Sequence, residues 1–131
     1  MKILVILQCA YGTTERRRQQ LQQKELWLQG LWNSHTGRRL KRMLPETDNI
    51  EIINSTPEIG NESSACFLPD LDYIQTQIAS YSPDKILACG KVAQAALAQL
   101  SISYIAAPHP AWRQLSNAQV DSIRITLSAC V

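Results

Sequence analysis

Four short apolar runs separated by stretches of helical character constrain this chain more than any other feature. They are "KILVILQ" at 2–8, "IEIIN" at 50–54, "KILACG" at 85–90 and "SYIAA" at 103–107. Short runs rich in β-branched residues suit strands buried on both faces, as in a parallel sheet. Between the first two, Glu15 to Leu31 is rich in Gln, Arg, Leu and Glu and reads as largely helical. Gly30 and "NSHTG" interrupt it, leaving Trp32 in a loop, and "GRRLKRML" adds a helical turn or two before Pro45. In "DLDYIQTQIASY", 70–81, Leu71, Ile74, Ile78 and Tyr81 recur at helical spacing behind Asp70 as N-cap. "KVAQAALAQL" is helical from Gly90 onward, and "SNAQVDSIRITLSAC" closes the chain as a helix capped by Ser116. Strand–helix alternation of this kind predicts a single domain over 1–131, a three-layer α/β/α fold with a central four-stranded parallel sheet and right-handed crossovers.

In such a sheet, ligands bind beyond the carboxyl ends of the strands. The loops gathered there begin near Gln8, Asn54, Gly90 and His109. They hold side chains suited to a nucleobase. An amide that donates and accepts, as on Gln8 or Asn54, matches a base edge. A ring such as Trp32 or Tyr11 stacks on a base face for about 1–3 kcal/mol. His109, held between Pro108 and Pro110, can stabilise negative charge on a departing base. Each has a plainer reading: Asn54 as a turn cap, Trp32 and Tyr11 as packing residues, His109 as a partner of a backbone carbonyl.

Charge is unevenly spread. Residues 1–45 hold nine Lys/Arg against Glu15 and Glu25, a net +7, whereas 46–131 hold four against nine Asp/Glu, a net −5. A basic face of this kind fits a polyanion, and equally a solvated helix surface. Cys9, Cys66, Cys89 and Cys130 lie far apart with no CxxC pair, which argues for thiols and against a zinc or iron–sulfur site, so no metal is expected. No apolar run approaches the ~20 residues that cross a bilayer. "MKILVILQCA" reads as a first strand rather than a signal peptide, because Gln8 and Tyr11 arrive where a signal core would still be running. The expectation is a cytoplasmic monomer with no membrane partner.

From about Ile3 to Leu127 the order of segments resembles the uracil-DNA glycosylase superfamily, as a small, divergent member. "LQCAYG", 7–12, is similar to that family's first-motif loop "GQDPYH", with Gln8 and Tyr11 matching and Cys9 where the catalytic aspartate would stand. "LWNSHTGRRL", 31–40, resembles "PFVGRSGxLL", which places Trp32 at the base-stacking aromatic and matches Gly37 and Leu40. "IINSTPEIGN", 52–61, resembles the strand ending in the base-reading asparagine, here Asn54. "PDKILACGKVAQAAL", 83–97, looks like the third strand and its helix start. "PHPAW", 108–112, is similar to the second motif "HPSP", with His109 at its histidine and the motif serine missing.

The resemblance implies an enzyme, a monofunctional DNA N-glycosylase that flips uracil or a modified pyrimidine out of single- or double-stranded DNA and excises it. His109 and Gln8 would be catalytic. Asn54, Trp32 and Tyr11 would bind the base. Trp112 or Leu115 would wedge into the strand, Arg113 would hold a phosphate, and Arg38 and Arg39 would contact DNA. No cofactor is implied. Cys9 lacks the carboxylate that stabilises an oxocarbenium-like sugar, with Glu15 as a substitute approaching the same rim. Two alternatives stay open: a catalytically inactive module of the same fold that binds DNA, a nucleobase or a nucleotide, and an enzyme acting on free nucleosides.

Overall fold

The computed structural model describes residues 1–46, 49–62 and 67–128. Cys66 and Cys130 lie outside these. Four strands, β1 (Ile3–Leu7), β3 (Ile50–Asn54), β5 (Lys85–Cys89) and β6 (Ile105–Ala107), form one parallel sheet in the order β3-β1-β5-β6. The fourth strand is shorter than the expected "SYIAA". In this register Leu7 lies opposite Asn54 and Cys89 opposite Ala107, so the four strand exits come to one rim.

Strand periodicity of two explains the layers. Ile3, Val5 and Leu7 face one way and pack with Leu40 and Met43 of α3 (His35–Met43) and Val120, Ile123 and Leu127 of α6 (Asn117–Ser128). Trp27, Leu28 and Leu31 of α2 (Lys24–Trp32) add to this side. Leu4 and Ile6 face the other way, against Ile74 of α4 (Leu71–Tyr81) and Ala93, Ala96 and Leu97 of α5 (Lys91–Gln99). Helices thus cover both faces of the sheet, the expected three-layer α/β/α arrangement. Among the described residues no helix is long and apolar enough to cross a membrane.

Helix ends follow the sequence. Asp70 accepts from Tyr73 N–H at 3.0 Å, and Ser116 accepts from Gln119 N–H at 3.2 Å while Gln119 Oε1 accepts back from Ser116 N–H at 2.9 Å. Such reciprocal capping satisfies two orphan donors at once. Three local expectations are corrected. Glu15 to Leu31 is two helices, α1 (Glu15–Leu21) and α2, broken at Gln22–Gln23. Gly30 does not interrupt α2, and Trp32 is its last residue rather than part of a loop. The chain leaving β1 also forms β2 (Ala10–Tyr11), which pairs in parallel with β4 (Ile59–Gly60).

Candidate functional site

Beyond the rim lies a cavity of about 560 Å³. That is within the range of small-ligand sites. Gln8, Tyr11, Asn54 and His109 all line it, although they leave three different strands. The residue that joins two of those exits is Ser55, which is fully buried. Its N–H reaches Leu7 C=O at 2.9 Å and Gln8 C=O at 3.0 Å, and its hydroxyl donates to Leu7 C=O at 2.6 Å. The end of β1 is thereby locked to the end of β3, which fixes Gln8 relative to Asn54.

His109 is held more tightly than its flanking prolines alone require. Its Nδ1 accepts from Ala111 N–H at 3.1 Å. A ring that accepts at Nδ1 carries its neutral-state proton on Nε2. Burial lowers the His109 pKa, which favours that neutral form. Gly90, at φ 91°, runs close by, and a Cβ there would lie 3.4 Å from His109 Cβ. A side chain at residue 90 would be strained in its backbone, while its Cβ would only touch the imidazole at ordinary contact distance.

The site also holds residues that sequence reasoning did not select. Trp27, Gly30 and Leu31 line the cavity from α2, and Arg17 and Leu21 line it from α1. Their spacings, i, i+3, i+4 and i, i+4, mark one face of each helix. That periodicity is the signal that could have found Trp27. The Arg17 guanidinium lies over Gly30, where any Cβ would collide with it. Among the described lining residues Arg17 is the one formally charged side chain, and no carboxylate is present.

Several expected site residues sit elsewhere. Trp32 lines a separate hollow with Lys41, Leu44, Pro45, Glu46, Ile50 and Arg124. Ile50 begins the strand that Asn54 ends, so this hollow lies towards the opposite end of the sheet. Trp27 is the tryptophan at the cavity. Leu115 is 5% exposed and belongs to the core, which rules it out as a wedge, whereas Trp112 is 43% exposed. Glu15 faces another hollow, with Arg18, Gln19 and Glu58. Arg39 donates to Pro110 C=O at 3.2 Å, to Trp112 C=O at 2.8 Å and to Leu115 C=O, so it clamps the loop that follows His109. Arg38 and Arg113 are exposed.

Burial pushes the Cys89 thiol up to about 12, so it is an inert core group. Cys9 lines the cavity. Among the described residues no three His, Cys, Asp or Glu side chains gather where a metal would be held.

Chemically, the cavity offers two amides, a neutral imidazole donor, a phenol, an indole and one guanidinium. It is equipped to hold a flat polar ring and to receive negative charge. Among the described lining residues it has no carboxylate to stabilise a cation. No family model, curated protein or solved structure matches this chain.

Proposed function

We propose that this protein takes a pyrimidine base flipped out of DNA into the rim cavity and, as a DNA glycosylase-like enzyme, weakens the base's bond to its sugar. The convergence of Gln8, Tyr11, Asn54 and His109 on one cavity carries this reading. Trp27 and Tyr11 provide aromatic walls, and the Asn54 amide pairs with the donor–acceptor edge of the ring. In the reaction the C1′–N bond breaks and its electron pair leaves with the base. His109 donates its Nε2 proton as a hydrogen bond to the carbonyl oxygen on which that charge gathers. Water, oriented by the Gln8 amide, adds to C1′ and releases its proton to solvent.

A second reading is favoured by the absence of a carboxylate among the described lining residues and by the presence of Arg17. A positive side chain opposes an oxocarbenium-like sugar, as expected of a module that binds the base without excising it.

Both readings meet in one experiment: oligonucleotides bearing uracil, hydroxymethyluracil or another altered pyrimidine, single- and double-stranded, assayed for abasic sites. Cleavage that is lost in His109→Ala and Asn54→Ala establishes excision. No cleavage, with binding that prefers one base and weakens in Asn54→Ala, establishes the module. No cleavage and no base preference would remove both.

A further inference from the structure

A second hollow, of about 570 Å³, opens beside the cavity. Arg38, Arg39 and Arg42 reach it from α3, Arg113 from the loop after β6, and Asn117 from the first turn of α6. The α3 arginines lie at i, i+1 and i+4, on one side of the helix. Their roles differ. Arg42 is paired with Asp121 through two bonds of 3.0 and 3.1 Å. Arg39 is committed to three loop carbonyls, which occupy three of its five N–H donors and leave its charge unbalanced. Among the described residues, the side chains of Arg38 and Arg113 make no hydrogen bond or ion pair, and both are exposed.

The hollow thus holds four guanidinium groups, with Asp121 paired to one of them, and two of the four forks are open. Planar forks of this kind match the oxygens of a phosphate. The N-terminus of α6 adds a positive end to the same place.

The two hollows share a wall. Ala111 lines both, and at the start of α3 Ser34 and Thr36 line the cavity while His35, between them, lines the arginine hollow. We infer that the arginine hollow is a phosphate site, in which Arg38 and Arg113 grip a phosphate of the ligand whose base enters the cavity. The ligand is then a nucleotide or a strand rather than a free base or nucleoside. Arg39 is the positioning residue, because it ties the His109 loop to the helix that carries Arg38. The claim about the ligand rests on the base-binding reading of the cavity; the phosphate site stands on its own geometry.

The test uses fluorescently labelled single strands of ordinary sequence, so no altered base is needed. Binding is measured across a salt series for wild type, Arg38→Ala, Arg113→Ala and the double variant. Each lost phosphate contact reduces the slope of log K against log[salt] by about 0.7. The double variant is therefore expected to lose about 1.4 in slope and to bind about tenfold more weakly at moderate salt. Arg38→Lys with Arg113→Lys restores most of the slope, because a charge is kept; a loss through misfolding would not be restored this way.

Competition by inorganic pyrophosphate and by a nucleoside triphosphate identifies the source of the phosphate. Affinity that grows with strand length assigns the site to a strand, and equal affinity for the triphosphate assigns it to a nucleotide. An unchanged slope in the double variant, with triphosphate binding also unchanged, overturns the site. If the slope falls but neither His109→Ala nor Asn54→Ala alters any base preference, the cavity reading fails and the phosphate site stands.

Discussion

His109 combines three constraints that act on one ring: prolines on either side, a backbone N–H on Nδ1, and burial that lowers its pKa. The imidazole therefore stays neutral below the ordinary value near 6.5. Titration of its ring protons by NMR is expected to give a midpoint under 6.5, and a midpoint at or above that value would overturn the proposal that it acts as a neutral donor. The linked effect on stability has a definite sign. The unfolded chain takes up this proton more readily, so the contribution is fully present above about 6.5 and erodes as the pH falls towards the folded-state value. Urea melts at pH 5 and pH 7.5 should therefore differ less in His109→Gln than in wild type. Trp112 and Leu115 divide in a similar way, exposed against buried. Leu115→Ala should cost about 2–4 kcal/mol in a urea melt. Trp112→Ala should melt like wild type yet bind strands more weakly. From sequence alone the two were equal candidates, because burial at 112 and 115 depends on α6 and α3 rather than on neighbouring residues.

Elements meet at two places where a single residue controls the geometry. Gly37 in the first turn of α3 touches the end of α2 so closely that a Cβ would collide with Leu31 C=O, a backbone atom that cannot swing aside. Gly37→Ala is expected to destabilise the fold by about 3 kcal/mol, read as a lower urea midpoint. Arg39 joins α3 to the loop before α6 across 71 to 76 residues of sequence. In Arg39→Ala, hydrogen exchange at the amides of 110–115 should quicken, with a loss of about 2 kcal/mol. Arg39→Lys should recover little of this, since a single ammonium does not reproduce a planar fork on three carbonyls. Composition put Arg39 in a basic patch, which is correct as to charge. Its donors, however, turn inward, and nothing within several residues of 39 reveals carbonyls that arrive from 110–115. The break between α1 and α2 at Gln22–Gln23 was hidden for a different reason: glutamine is a good helix former, so local propensity carries no sign of a stop there.

On the scale of the molecule, the sheet was legible because each buried strand announces itself as a short apolar run. Its three-layer covering followed from the alternation of those runs with helices. The rim was legible too, since parallel strands bring their exits together and Gln8, Asn54 and His109 stand at those exits. The far wall of the cavity was not. Trp27 and Trp32 are five residues apart, so a helix turns them to different sides, and which side meets the rim depends on how α2 packs against the sheet. The pairing of β2 with β4 involves only two residues on each side, too few to leave a pattern. The cavity is walled by segments 7–36, residue 54 and the 109–111 turn, which lie a hundred residues apart along the chain. The complete cavity therefore exists only in the folded chain, and an occupant would tie its distant segments together. A ligand held at a hundred times its dissociation constant should add about 2.7 kcal/mol and raise the melting temperature of the whole protein. The chain itself is then the reporter: a library of nucleosides, nucleotides and short strands, ranked by thermal shift, would name its partner before any reaction is known.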